Sequence, residues 1–336
     1  MNKNNAAAAE AEVKAENAVE ESVDAVAQAE TSGAENTAGK TAVKAPKRKI
    51  RAGHSSMTRR SLRKWSWLFI GPVFAAFIIG FIWPFAQGAF LSFNNFKVIS
   101  KPTWVGFDNY VKAFSDESFL HAFWFTALFA LVSVILINIL AFAVAYALTQ
   151  GIKGSNLFRT VFFMPNLIGG IVLGYIWSMI FDGILSAYQT SILMKAEYGF
   201  WGLIILILWQ QIGYMMIIYI AGLQAVPEDI IEAAKIDGAT KRQTLFKVII
   251  PNVMPAITIC TFLTLTNGFK LFDQNLALTN GEPFRQTEML ALNITNGFSA
   301  MATRGAAQAK AVVFFFLVAI LGIAQLVMTR RKEVQQ

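Results

Sequence analysis

The sequence predicts an all-α polytopic membrane protein with six transmembrane helices, and two observations carry that prediction. Of its 336 residues, 55% are hydrophobic and only 15% charged, with a mean hydropathy of +0.48. Soluble domains carry about 25% charge, and a soluble chain this apolar would expose large sticky patches. The charges are also unevenly spread. All Lys, Arg, Asp and Glu fall outside six stretches: 66–96, 122–152, 160–181, 199–227, 252–269 and 311–329. Each stretch has 18 residues or more, and about 20 apolar residues cross a bilayer's hydrocarbon core. The helical spans are placed at 66–90, 122–148, 160–181, 200–225, 252–270 and 311–329. An ordinary cytosolic enzyme is excluded.

Ahead of the first span, residues 1–46 are Ala/Glu-rich, with eight acids, four lysines and no aromatic residue. Such a segment cannot bury enough apolar surface to offset its ordering entropy and is read as a disordered extension. Within it, Ala34-Glu35-Asn36-Thr37-Ala38-Gly39-Lys40-Thr41 mimics a phosphate-binding loop. No apolar strand precedes it to aim backbone N–H groups at a phosphate, so no nucleotide site is assigned. Residues 47–64 hold eight Lys/Arg and no acid. The apolar stretch that follows is too long and starts too late for a cleaved signal peptide, so 47–64 is read as a cytoplasmic basic anchor before a retained span.

Cytoplasmic loops collect Lys and Arg. With the N-terminus inside, the inside segments (47–64, 153–159, 228–251 and the tail 330–336) hold 17 basic residues. The longer outside loops (97–121, 182–198, 270–310) hold 8. Both termini are therefore expected on the cytoplasmic side. Trp65, Trp67, Trp104, Trp124 and Trp201 lie near the expected interfaces, as amphipathic rings prefer. The net charge of +8 sits beside the spans, which points to anionic lipid and topology rather than nucleic acid. Cys260 stands alone, and His54 and His121 are far apart, so neither a disulfide framework nor a metal site is expected.

The longest inside loop, 228–251, reads as two short capped helices. Pro227 suits a first helical position, and Glu228 and Asp229 complement the positive helix start. Ile230, Ile231, Ala233, Ala234 and Ile236 supply an apolar face, and Gly238 is a natural C-terminal cap. Thr240 and Gln243 form a capping box for a second helix through Ile250, and Pro251 separates it from the next span. A flexible connector needs none of these devices.

Glu232-Ala233-Ala234-Lys235-Ile236-Asp237-Gly238-Ala239, continuing to Ile250-Pro251, resembles the EAA loop of permease subunits in binding-protein-dependent ABC importers. The surroundings resemble the carbohydrate branch, the maltose-type and multiple-sugar permeases. Gly222-Leu223-Gln224-Ala225-Val226-Pro227 leads into the loop. Leu278-Thr279-Asn280-Gly281-Glu282-Pro283 resembles that branch's Leu-Thr-x-Gly-Gly-Pro turn, with Glu282 in place of the second Gly. Trp104-Val105-Gly106-Phe107-Asp108-Asn109-Tyr110 resembles its first external loop, and Arg159-Thr160 with Phe163-Met164-Pro165 the start of its third helix. The resemblance covers about 65–333.

It implies a MetI-like permease core in a bacterial cytoplasmic membrane. Glu232, Ala233, Ala234, Asp237, Gly238, Ala239 and Pro251 would then form the coupling device. Glu232 would make polar contacts in a cleft on a separate ATPase, and the small residues would allow close approach. The implied partners are a second homologous permease, two ATPase subunits, a solute-binding protein, a sugar and the lipid bilayer. No cofactor or metal is expected on this chain, nor any catalytic residue; ATP and Mg belong to the ATPase.

A sugar path needs hydrogen-bonding groups and aromatic faces at membrane depth, where polar residues are expensive. The fourth span offers Trp209, Gln210, Gln211 and Tyr214. The fifth offers Thr264 and Asn267, with Gly268, Lys270 and Asp273 toward its outer end. Thr264, Asn267, Gly268 and Leu271 follow an i, i+3, i+4, i+7 spacing, as do Ile207, Gln210, Gln211 and Tyr214. The resemblance places sugar-contacting positions on these same two faces. Helix–helix hydrogen bonding is the competing role for each such polar side chain.

Gly170 and Gly174 form a small-xxx-small pair suited to close helix packing, within the chain or against a second permease. Pro72, Pro84 and Pro165 imply kinks or span ends. Asn293-Ile294-Thr295 matches a glycosylation acceptor by accident, and the segment around it has room for a short helix. Other function classes fit less well. Secondary transporters couple through intramembrane carboxylates, and the six stretches hold no Asp or Glu. A membrane enzyme lacks its catalytic grouping, and a channel its filter loop. An importer of another solute, such as glycerol phosphate, remains the nearest alternative; it would want basic residues along the route, and only Lys270 lies near.

Overall fold

Residues 68, 70–96, 101–299 and 304–330 are described by the computed structural model. The extension 1–46, the basic anchor 47–64 and the tail beyond Arg330 lie outside the described residues. In chain order the elements are α1 (Ile70–Ser92), a ribbon of β1 (Asn94–Asn95) and β2 (Thr103–Trp104), α2 (Asp108–Phe114) and α3 (Glu117–Leu148). Next come α4 (Ser155–Phe163), α5 (Gly170–Ser186), α6 (Ala196–Gln224), α7 (Glu228–Ile236) and α8 (Lys241–Asn252). The last are α9 (Met254–Phe269), α10 (Asp273–Leu278), α11 (Leu290–Gly297) and α12 (Arg304–Arg330). The two-residue ribbon is the one departure from an all-helical chain among the described residues.

Helices α1, α3, α6 and α12 are each long and apolar enough to cross a membrane. Two further spans are bent pairs: Ser155–Leu167 with α5, turned through 100°, and α8 with α9, turned through 69°. Counting each pair once gives six spans. The third apolar stretch, 160–181, is therefore a broken span, interrupted next to the Pro165 that implied a kink or a span end. Pro165 sits in a 3₁₀ turn, Met164–Leu167, and Ile168 and Gly169 are extended (ψ 130° and 140°). Proline removes one backbone donor, and the Gly169-Gly170 pair offers no side chain to hold a helix.

Interior prolines are absorbed differently. Pro84 and Pro251 each follow a π-type turn, Ile78–Ile82 and Leu245–Ile249. Widening that turn moves the i−4 carbonyl away from the pyrrolidine ring. Helix α8 consequently runs on past Pro251, and the chain breaks at Val253 instead. The proposed separator is thus inside a helix, and Pro255 in the first turn of α9 accounts for the true break.

Helix α6 is the centre of the bundle, with Leu203, Ile204, Leu206, Ile207, Met215, Met216 and Tyr219 almost wholly buried. Against it α3 turns a stripe that includes Phe129, Ser133, Ile137, Ala141 and Ala145, spaced four apart. Lipid tails are as apolar as these side chains, so small residues and close contact hold such helices together, not water exclusion. Three glycines mark the closest approaches. A methyl on Gly213 would stand 1.8 Å from the Phe162 carbonyl oxygen, one on Gly222 2.6 Å from Ala256 Cβ, and one on Gly268 3.1 Å from Ala130 Cβ. Gly170 and Gly174 meet Asp273 and Ala277 of α10 in the same way, at 2.7 and 2.6 Å. Their small-xxx-small face is used inside the chain.

Candidate functional site

The α7–α8 connection is fully closed by hydrogen bonds. Pro227 is the N-cap of α7 (ψ 133°) and not its first helical residue, which leaves Glu228 and Asp229 in the first turn. At the other end Gly238 takes φ +78°. Its N–H reaches the Lys235 carbonyl at 3.1 Å, and the Ala239 N–H reaches that of Ala234 at 3.0 Å. This is a complete Schellman closure. One residue on, Thr240 and Gln243 exchange the two bonds of a capping box, at 3.3 and 2.8 Å. Two helices meet across four residues with no slack.

None of α7 is buried. Glu232, Ala233, Asp237 and Gly238 are exposed, Ala234, Ala239 and Pro251 half-buried. The apolar face expected of α7 is split. Ile231 packs on the bundle core, whereas Ile230 and Ile236 point away from it, Ile236 being 86% exposed. Behind α7, Glu232, Lys235 and Ile231 line a cavity of about 480 Å³ with Tyr146 and Gln150 of the α3 end.

The polar faces of α6 and α9 do not behave as one surface. Gln210 donates to the Ile168 carbonyl at 3.2 Å and accepts from Gln274 Nε2 at 2.8 Å. It satisfies backbone left open by the α4–α5 break, which lipid cannot do. Thr264 is buried; its hydroxyl bonds the Cys260 carbonyl at 2.8 Å and accepts from Asn138 at 3.0 Å. Asn138 in turn accepts from the Tyr219 hydroxyl at 2.6 Å. Gly268 is the contact with α3 described above. Leu271 lies beyond the end of α9, buried in the core, so the expected four-residue face stops at Gly268. The extra residues of the i+7 step unwind because α9 terminates at Lys270.

Gln211 differs from its neighbour. It is 8% exposed, and its side-chain oxygen has no hydrogen-bond partner among the described residues. Tyr214 and Asn267 are half-buried, while Trp209, Lys270 and Asp273 are exposed.

A third constellation, unforeseen from the sequence, lies at the end of the bundle away from α7. Lys310 is buried and pairs with Asp116 at 2.5 Å and with Asn293 Oδ1 at 3.2 Å. Asn293 also donates to Glu288 at 2.9 Å, and Arg285 grips Glu288 through two bonds of 2.9 and 3.0 Å. Burial pushes the Asp116 carboxyl up, but hydrogen bonds from Lys310 and Ser118 and the ammonium charge outweigh it and hold it below the usual carboxylate range. Hydrogen bonding to Glu288 holds Arg285 above its ordinary value. Asn293, fully engaged here and 1% exposed, has no room for a glycan. Asn138 could have been found as the single Asn of the second apolar stretch; nothing in sequence spacing links Lys310 to Asp116, 194 residues away.

Residues 147–334 match the family described as binding-protein-dependent transport system inner membrane component. The chain is 39% identical to a probable starch degradation products transport system permease protein of Thermoanaerobacterium thermosulfurigenes, over 81% of this chain and 96% of that one. It is 32% identical to a multiple sugar-binding transport system permease protein of Streptococcus mutans, over 82% and 99%. A chain of a bacterial ABC transporter that imports the acidic polysaccharide alginate shares its fold, with a TM-score of 0.69 at 18% identity, over 82% of this chain and 99% of that one. By the match over more than half of its length and by these relatives, the chain belongs to the family of inner-membrane permease components of binding-protein-dependent transport systems.

Proposed function

We propose that the chain forms half of the translocation path of an ATP-driven importer of neutral sugars or oligosaccharides. A second permease completes the path, a solute-binding protein delivers the cargo, and two separate ATPase subunits bind ATP and Mg. Both termini and the α7–α8 connection face the cytoplasm, as the distribution of basic residues favours. The observation that carries the reading is α7 itself: a short helix closed at its C-terminal end and tied without slack to the capped start of α8, with Ile230, Ala233 and Ile236 presented outward and Glu232 at the edge of the cavity behind it. A lever so held transmits displacement, and its outward face suits a cleft on an ATPase. The cargo class follows the names of the two relatives, starch products and multiple sugars. Along the path, the Gln211 oxygen, without a partner among the described residues, is the side-chain group best placed to take a sugar hydroxyl, with Tyr214 one turn along the same helix and the half-buried Asn267 on α9 as further candidates.

The test is a reconstituted complex carrying Glu232→Lys or Gly238→Asp. Sugar uptake and sugar-stimulated ATP hydrolysis should both be lost while the permease still folds and inserts. Uncoupled but normal uptake in both variants refutes the lever.

A further inference from the structure

We infer that the outer mouth of the molecule carries a separate subsite for one ring of a neutral saccharide chain, between Trp201 and Phe284 with Glu117 and Glu197 at its rim. The inference rests on the carbohydrate-importer reading above. A cavity of about 610 Å³ opens where the first turns of α3 and α6 meet the turn at 282–286, within the usual range for ligand sites of about 300–1,000 Å³.

One wall is continuous aromatic surface. Phe125 meets Phe200 edge-on with centroids 5.7 Å apart, and Phe200 meets Trp201 at 5.4 Å. Facing the cavity from the turn is Phe284, 88% exposed. Phe284 and Arg285 both take left-handed backbone (φ +49° and +62°), a conformation that bulky side chains seldom adopt. The turn is held there on purpose: the Phe284 N–H donates to Glu282 Oε2 at 2.9 Å, and Arg285 is clamped on Glu288. A strained turn that holds a phenyl ring out in water implies something to cover the ring.

The rim decides what. Neither the Glu117 nor the Glu197 carboxylate accepts a hydrogen bond from any described residue, and the Arg285 charge is already spent on Glu288. Flat apolar faces with two free carboxylate acceptors at their edge complement a pyranose, which has a C–H face and hydroxyl donors at its edge. Two uncompensated carboxylates repel an acidic sugar. Trp201 stands ten residues from Gln211 on α6, about 15 Å at the helical rise. A disaccharide held at Gln211 does not reach it; a longer chain does.

The experiment compares maltose with maltohexaose in proteoliposomes holding the whole complex, at saturating loaded binding protein. Trp201→Ala and Phe284→Ala should slow maltohexaose uptake by about tenfold, the loss expected of one stacking face, and maltose uptake less than twofold. Trp201→Phe should recover the longer substrate. Equal losses for both lengths would mean the surface serves the binding protein or the fold, and no loss would mean it binds nothing; either overturns the subsite. A wild-type complex that carries neither saccharide overturns the importer reading itself.

Discussion

Adjacent glutamines on α6 should fail in opposite ways. Replacing Gln210 with Ala removes the bond to the Ile168 carbonyl and the bond from Gln274, at 3.2 and 2.8 Å. Side-chain hydrogen bonds between membrane helices average about 0.6 kcal/mol each. The Ile168 carbonyl, at the break between α4 and α5, is then left without its donor, which costs about 1–3 kcal/mol. Together the loss is about 2 kcal/mol. Gln211→Ala removes an oxygen that bonds nothing among the described residues, so its stability cost is confined to a small cavity. The assay is thermal unfolding of the purified complex in detergent beside uptake in proteoliposomes. Gln210→Ala should melt several degrees lower and Gln274→Ala, which loses only the 2.8 Å bond, by clearly less, with the double variant no worse than Gln210→Ala. Gln211→Ala should melt like wild type and raise the sugar concentration needed for half-maximal uptake. A Gln211 variant that unfolds as early as the Gln210 variant, with unchanged sugar dependence, would sink the distinction between them.

Gly213→Ala places a methyl 1.8 Å from the Phe162 carbonyl oxygen, so backbone must move; overpacking of about 3 kcal/mol should appear as loss of folded, insertable protein. Gly238→Ala meets no atom within 4 Å but keeps φ +78°; it should cost about 1 kcal/mol at the cap, leave the bundle's melting unchanged, and lower coupled ATP hydrolysis. The lowered Asp116 carboxyl makes stability dependent on acid pH. Its contribution is complete above the ordinary value of 3.8 and is lost as pH falls through the lower folded value. Lys310→Met should weaken that dependence in a melting-against-pH series, the Ser118 bonds to Asp116 remaining, while leaving a buried network short of one donor.

Charge-free stretches were legible because a bilayer punishes charge over a fixed length, so six spans could be read by counting. The caps of the α7–α8 connection were legible because each depends on residues within four positions of one another. What escaped was relational. Whether Pro165 and Pro251 bend a span depends on the turns around them: a 3₁₀ turn holding Pro165 and the paired glycines after it break one helix, while a π-type turn ahead of Pro251 absorbs the other proline. Gln210, Thr264 and Gly268 share a spacing that suits a path, yet each is committed to a neighbour fixed by the fold: Ile168, Asn138 and Ala130 respectively. Spacing along one helix reports a face, not what the face meets. The Asp116–Lys310 pair joins segments that no local rule connects.

The placement of these contacts bears on how a push at α7 is transmitted. Helix α7 is joined to α6 through Ala225–Pro227 and, through α8 and the break at Val253, to α9. These two helices also touch directly beside the lever, where Gly222 lies against Ala256 and Val253. Further in, the chain of bonds Tyr219–Asn138–Thr264 ties α6, α3 and α9 together. If α7 is driven by an ATPase as proposed, the three helices move as one block, because breaking that chain leaves polar groups bare in an apolar medium. The compliant element is then the α4–α5 break, whose 100° bend is bridged to α6 by Gln210, itself held by Gln274 of α10. Tyr219→Phe should therefore decouple the helices within the block, lowering the sugar taken up per ATP hydrolysed without lowering ATP hydrolysis. Gly170→Ala, which wedges α5 from α10 at the bend, should lower both together. An unchanged transport-to-hydrolysis ratio in Tyr219→Phe would show that the block does not carry the stroke.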